Sequence, residues 1–359
     1  MISAEYYSVF YYLIVTVFTV IVILRYWIKR TPQSIKIETI TAFILAIFFA
    51  IFIGLRPVDL VFVDMTGYAG VYDYYTKVNI AYNLNNTNFI FDNLILFSAV
   101  TGVPKHFFFL IISCIYFIIT FWATKRLFPG NTLAAYVVWL GSFSTFSYGV
   151  NGIKAGAAAA FFILAISFYK KKVISILLSI VSLGFHHSMI LCIVAYIITL
   201  IYQKSVIYFC FWVFCMIVSM LKIIYFQELL AGLSDESGSA YLTTTQDSKN
   251  FGGRGGFRLD FILYSSLPII VGFSTVFKKH LVTYIYSILF NFYLLTNAIW
   301  MLCMYASFTN RIAYLSWFVY PFVLTYPLLQ MNWGKNQRVV FRLIILFSIL
   351  FSLFMQYIY

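Results

Sequence analysis

The sequence predicts an all-α polytopic membrane protein of about twelve transmembrane helices, and two observations carry that expectation. First, 63% of its 359 residues are hydrophobic and only 10% are charged, a balance that suits a chain dissolved in lipid better than one folded in water. Second, the apolar residues come in runs such as "YYSVFYYLIVTVFTVIVILRYWI" and "FILYSSLPIIVGFSTVF", close to the roughly 20 residues that cross the hydrocarbon layer as a helix. The alternating pattern of a membrane barrel is scarce.

In chain order, spans are expected at 6–28, 37–55, 105–124, 132–150, 152–169, 173–185, 187–202, 205–227, 259–277, 281–305, 312–331 and 339–358. Two of them, 173–185 and 187–202, are short against the roughly 17-residue lower limit, so tilted, broken or re-entrant geometry is expected there. The segment at 90–102, containing "IFDNLILFSAV", is also short and suits an interfacial position. The whole chain, 1–359, reads as a single transmembrane domain with two longer outer loops at about 56–104 and 228–258.

Lysines and arginines near span ends collect on the cytoplasmic side of a membrane protein. Here Arg25, Lys29, Arg30, Lys36, Lys125, Arg126, Lys170, Lys171, Lys172, Lys204, Lys278, Lys279, Lys335, Arg338 and Arg342 fall on one side. The other side holds Arg56, Lys77, Lys105, Lys154, Lys249, Arg254, Arg258 and Arg311, so both termini are expected to face outward. The N-terminus lacks a basic leader with a small-residue cleavage site, and the first span is expected to be retained. The net charge of +13 is scattered over loops that meet anionic lipid, and no nucleic-acid module accompanies it. All five cysteines (Cys114, Cys192, Cys210, Cys215 and Cys303) fall inside expected spans without metal-type spacing, and read as packing residues. No cofactor or metal is called for.

Five motifs emerge on the outer, cation-poor face. In "GGRGGFRLD", glycines 252, 253, 255 and 256 permit close backbone approach to an anion, while Arg254 and Arg258 supply bidentate cations. That set suits a diphosphate, though a flexible loop whose arginines meet lipid phosphates fits the spacing equally. In "LGFHHSM", His186 suits a general base, a proton shuttle or a hydrogen-bond donor to phosphate, or an interfacial ring bonded to backbone. "YGVNGIKAGAAAAFFILAI" pairs a small-residue helix with Asn151 and Lys154 at its outer end, and "FTNRIAYLSWF" starts a span with Arg311. Both cations also suit simple snorkelling to the interface. The fifth, "GLRPVDLVFVDMTGYAGVYDYYTK", offers Arg56, Asp59, Asp64 and Tyr68 in the first outer loop. Cations left on the face that should be depleted of them need a reason, and an anionic substrate is one.

These motifs resemble, in order and over most of the chain, those of EpsG-type polymerases of bacterial exopolysaccharide and O-antigen synthesis, functionally akin to Wzy. The resemblance rests on "GLRP…VDMTGY", "NGIKAGAAAAFFILAI", "FHHS", "GFRLDFILYSSLPI" and "NRIAY". Three positions depart from the family pattern: Lys154 and Ala155 stand where arginine then glutamine is usual, and Val63 replaces a glycine before Asp64. The resemblance implies a GT-C-like membrane glycosyltransferase that joins undecaprenyl-diphosphate-linked repeat units at the outer face of the bacterial cytoplasmic membrane. Membrane lipids are implied partners, with flippase and chain-length regulator proteins of the same pathway.

On that basis Arg254, Arg258 and Arg311 are expected to stabilise the leaving diphosphate without a metal, with Arg56 and Lys154 as further candidates. His186 is the first choice as base, Asp64 and Asp260 compete with it or orient an arginine, and Tyr68 is expected to meet sugar. Two other functions use the same residues: a flippase for lipid-linked sugars, and a membrane O-acyltransferase drawing its histidine from "FHHS".

Overall fold

The computed structural model describes residues 2–25, 31–78, 82, 84–232, 256–306 and 309–358. Among these, every regular element is helical. The chain divides into two compact units. The first, Met1–Ile190 with Asn336–Gln356, holds α1 (Tyr7–Arg25), α2 (Pro32–Gly54), α3 (Val63–Tyr75), α4 (Phe89–Val100), α5 (Lys105–Leu127), α6 (Thr132–Leu140), α7 (Phe143–Val150), α8 (Ile153–Ser167) and α9 (Lys172–Phe185). The second, Leu191–Lys335 with Tyr357–Tyr359, holds most of α10 (Met189–Ile201), then α11 (Ser205–Met220), α12 (Tyr225–Gly232), α13 (Leu259–Lys278), α14 (Tyr284–Leu302), α15 (Thr309–Trp317) and α16 (Tyr320–Gln330). The last helix, α17 (Gln337–Ile358), returns almost wholly to the first unit.

Among the described residues seven helical stretches are long and apolar enough to cross a membrane: Ala4–Arg25, Pro32–Gly54, Lys105–Leu127, Leu259–Lys278, Tyr284–Leu302, Thr309–Gln330 and Gln337–Gln356. The expected span at 132–150 is instead two helices, α6 and α7, bent by 70°, and counting that pair as one crossing makes eight. The break has a local cause. Ser142 takes an extended backbone, and its hydroxyl donates to the Val138 carbonyl at 2.9 Å while Thr145 donates to the Trp139 carbonyl at 2.6 Å. Carbonyls released at the bend are thereby satisfied inside the fold.

A second difference lies at 205–227, where α11 stops at Met220 and the chain turns before α12. Lys222 adopts a left-handed φ of 55°. Its N–H bonds the Ser219 carbonyl and the Ile223 N–H reaches back to Val218, a Schellman closure that ends the helix. The span expected at 152–169 and the two short ones at 173–185 and 187–202 are helices of 15, 14 and 13 residues. By length and composition they fall outside the membrane-crossing set.

The first outer loop is also more ordered than expected, because 56–104 folds into α3 and α4. Asp59 starts this segment with a turn in which its carboxylate accepts the Val61 N–H at 2.9 Å. The Tyr72 hydroxyl donates to the carbonyls of Ser98 and Val103, fastening α3 to the end of α4. Lys105 then pairs with Asp73 at 2.6 Å, fastening α3 to the start of α5.

Within the first unit, small residues set close approach between helices. A Cβ on Gly54 would stand 2.7 Å from the Leu110 Cα, so α2 and α5 meet backbone to side chain only because that position is glycine. The predicted small-residue helix is α8, in which Gly156 and the alanines from 157 to 160 are all buried. Ser182 of α9 donates to the Ala158 carbonyl at 2.7 Å across that seam. In the second unit a buried polar network takes the same organising role. Asn297 of α14 donates to Ser265 at 3.2 Å and Ser316 at 3.0 Å, and accepts from Trp212 at 2.8 Å. Helices α11, α13, α14 and α15 are thus tied to one side chain whose partners leave no choice of register.

Candidate functional site

The first unit gathers expected site residues around the first turn of α4. Lys154, the second residue of α8, places its ammonium 5.7 Å from the Tyr68 ring centre and 5.6 Å from that of Phe91. The two rings meet edge to face at 5.2 Å, so α3 and α4 together form an aromatic shelf under the cation. Asp64 lies one helical turn before Tyr68 in the first turn of α3, half-buried. The turn that delivers Lys154 is tight: a Cβ on Gly156 would stand 2.9 Å from the Tyr148 carbonyl, and one on Gly152 would stand 3.0 Å from the Tyr148 ring.

Arg56 supports this turn rather than facing solvent. It is 3% exposed, donating through one Nη to the Ile53 carbonyl at 2.7 Å and through the other to the Val150 carbonyl at 2.6 Å. Its guanidinium lies over Phe62 at 5.3 Å and Phe109 at 5.8 Å. Burial pushes its pKa down to about 9, with nearby Tyr7 opposing the shift. Each Nη thus gives one of its two N–H groups to a backbone carbonyl, and the expected contact of Arg56 with a diphosphate stands as a proposal. What Arg56 does is join the end of α2 to the α7–α8 turn, two residues before Gly152.

His186 follows α9 with an extended backbone, its N–H still bonded to the Ser182 carbonyl at 3.1 Å. The Ser188 backbone N–H donates to His186 Nδ1 at 3.2 Å, and the Ser188 hydroxyl lies 2.7 Å from the same nitrogen. A backbone N–H can only donate, so Nδ1 is the acceptor and the neutral ring carries its proton on Nε2. His187 donates its N–H to Asn88 Oδ1 at 2.9 Å, which fastens this turn to the start of α4. The contact is close along its length, since a Cβ on Gly184 would stand 2.6 Å from Ile90 and 2.8 Å from Phe89.

Two residues of this cluster escaped the sequence reading, Asn88 and Asp92. Asp92 is a half-buried carboxylate next to Phe91, and its desolvation raises its pKa while the charge of Lys154 opposes the rise. The signal for it was present: a carboxylate within "IFDNLILFSAV" is costly on an apolar helix and marks a partner.

The second unit presents a different cation. Arg258 precedes α13 and is 8% exposed. Its Nε and Nη2 donate to the two oxygens of Asp260 at 2.9 and 2.6 Å, a two-toothed fork. The guanidinium stacks 3.6 Å from the Phe261 ring centre, and Phe261 meets Trp317 of α15 edge to face at 4.8 Å. The Arg258 N–H donates to the Met304 sulfur at 3.2 Å, docking the start of α13 on the α14–α15 connection. Arg311 stands exposed in the first turn of α15. Arg254, with glycines 252, 253 and 255, lies outside the described residues. Gly256 takes a φ of 121°, a backbone that only glycine adopts readily, just before this arginine.

Among the described residues no group of three or more His, Cys, Asp or Glu side chains gathers in a way that could hold a metal ion. No curated protein and no solved structure matches the chain. The sequence profile of the EpsG family matches residues 39–359, a stretch that contains every motif described above. With that match over most of its length, the chain belongs to the EpsG family of Wzy-like polymerases.

Proposed function

We propose that this protein joins undecaprenyl-diphosphate-linked oligosaccharide repeat units into a surface polysaccharide at the outer face of the bacterial cytoplasmic membrane. The observation that carries the reading is the family match, which makes the chain an exopolysaccharide repeat-unit polymerase in kind. Lipid-linked donor and acceptor, a GT-C-like architecture built as one transmembrane domain, and outward termini are the finer parts of the proposal.

The reaction forms a bond between an acceptor hydroxyl oxygen and the anomeric carbon of the donor. The bond from that carbon to the diphosphate oxygen breaks, and its electron pair leaves with undecaprenyl diphosphate. Stabilising charge where it develops is the largest catalytic contribution such a site can make. In the second unit, Arg258 is suited to that role because Asp260 and Phe261 hold its guanidinium in one orientation before substrate arrives. Asp260 is then proposed as the carboxylate that orients Arg258, each of its oxygens accepting one N–H of the fork. Arg254 and Arg311 are proposed as further phosphate ligands.

In the first unit, Lys154 offers a more mobile point charge to a phosphate oxygen, and the Tyr68 ring offers an apolar face to a sugar. His186, with its proton on Nε2, is proposed as a donor to an anionic oxygen, and Asp64 as a ligand for sugar hydroxyls. Arg56 holds the backbone that carries Lys154. The chemistry proposed needs no metal, and a chelator is expected to leave turnover unchanged.

Deletion of the gene in its native host tests the reading. A polymerase leaves single lipid-linked repeats accessible at the outer face when it is lost, whereas loss of a flippase strands them inside. Repeats found only inside would overturn the proposal in favour of transport. An O-acyltransferase would leave full-length polymer that lacks acyl groups.

A further inference from the structure

The reaction proposed above releases a proton from the acceptor hydroxyl, while Nδ1 of His186 accepts from Ser188, Asp260 accepts from Arg258, and Asp64 is assigned above to sugar hydroxyls. A third carboxylate, Asp92, sits where the first unit brings the most chemistry together. Three segments converge on its helical turn. Phe91, its neighbour, forms the aromatic shelf with Tyr68 of α3. Lys154 of α8 lies over that shelf and its charge acts on Asp92. Asn88, one turn earlier on α4, holds the His186–His187 turn that follows α9. Asp92 is half-buried in an apolar helix too short to cross the membrane, so its carboxylate has been kept where burying it is costly.

We propose that Asp92 is the general base of the polymerisation, accepting the proton of the acceptor hydroxyl as that oxygen attacks the anomeric carbon. The inference rests on the polymerase reading and adds a residue to it. Lys154, whose charge acts on Asp92, meets the negative charge of the incoming substrate, so a proton acceptor and a compensating cation serve the same turn of α4. Desolvation makes Asp92 a stronger base than an exposed aspartate, which brings it nearer to the working pH. The groups that act on it are identifiable: Lys154 from α8, and Tyr75 from α3, whose own pKa is raised by burial and by Asp92. The turn after α9 contributes His186 and His187, while Lys105 at the start of α5 is paired with Asp73.

The test uses purified protein in nanodiscs with its native lipid-linked repeat unit, reading glycan ladder formation against pH. A base must be deprotonated, so wild-type turnover is expected to fall as pH drops, with a midpoint above the ordinary carboxylate value. Asp92→Asn is expected to lose about 100-fold or more in kcat with KM changed by less than about threefold. Asp92→Glu is expected to recover part of the rate and to move the acid limb, whereas His186→Gln leaves the limb in place. An Asp92→Asn rate within about threefold of wild type, or a raised KM at unchanged kcat, overturns the proposal. If Asp92→Asn does not fold, the wild-type profile decides: an acid limb that stays unmoved in Asp92→Glu overturns it. A wild-type protein that makes no ladder overturns the polymerase reading itself, and this inference with it.

Discussion

Arg258 in the second unit and Lys154 in the first are two candidate phosphate ligands with well-defined surroundings, and they are shaped by opposite means. Arg258 takes its ion partner and its stacking partner from the next three residues, Asp260 and Phe261 included, so one helix start builds the whole arrangement. Lys154 has no such local supply. Its shelf comes from α3 and α4, its counter-charge from α4, and its backbone position from Arg56, 98 positions earlier by sequence number (154 minus 56). A locally built site presents a rigid charge, and a remotely built one depends on helix packing. Damage to the second should therefore travel through stability as well as turnover.

Substitutions that remove one kind of support and leave the other test that difference. The largest effect is expected from Arg258→Ala, which removes a preorganised donor and should lower turnover by about 10²- to 10³-fold. Arg258→Lys keeps the charge but loses the fork, and is expected to cost at least about tenfold while the melting temperature hardly changes. A rate in Arg258→Lys equal to wild type would show that charge alone suffices in the second unit.

Arg56→Leu should act mainly through the fold. It removes the Arg56 side-chain donor of the Val150 carbonyl, at about 1–3 kcal/mol, while the Ile53 carbonyl keeps the backbone N–H of residue 56. Thermal unfolding in detergent is expected to show a lowered melting temperature, with turnover falling in proportion to folded protein. A normal melting temperature with lost turnover would assign Arg56 to the substrate.

Gly184→Val probes packing with no charge involved. Its new side chain would collide with Ile90 and Phe89 at the start of α4, with an expected cost of about 1–3 kcal/mol and a displaced Asp92 and shelf. Turnover should fall more than Arg258-dependent phosphate binding, which belongs to the other unit. The smallest effect is expected at Tyr68. Tyr68→Phe keeps the ring beside Lys154 and should change KM by less than about threefold, whereas Tyr68→Ala should raise it by about tenfold, a stacking contribution near 1 kcal/mol.

The contrast between the two units also explains what could be seen in the sequence. Arg258, Asp260 and the glycines before them are contiguous, so "GGRGGFRLD" displays the arrangement directly, even though Arg254 falls outside the described residues. The long apolar helices were equally visible, because hydropathy over about 20 residues is a local property. What stayed hidden was non-local. Nothing in "GLRP" says that Arg56 spends its nitrogens on carbonyls of Ile53 and Val150. Nothing in "IFDNLILF" says that the charge of Lys154 acts on Asp92. The tautomer of His186 is set by the Ser188 N–H two residues on, and depends on a turn geometry that composition does not report. The bend at Gly141–Ser142 escaped for a related reason: hydropathy is continuous through it, and only hydrogen bonding shows the break.

The central claim is that this chain makes polymer by itself from lipid-linked repeats. Purified protein, reconstituted with its native undecaprenyl-diphosphate-linked repeat unit and no other protein, is predicted to yield a ladder of glycans spaced by one repeat, with free undecaprenyl diphosphate released one per bond formed. Folded protein that binds the lipid-linked repeat yet yields neither ladder nor released undecaprenyl diphosphate would contradict it.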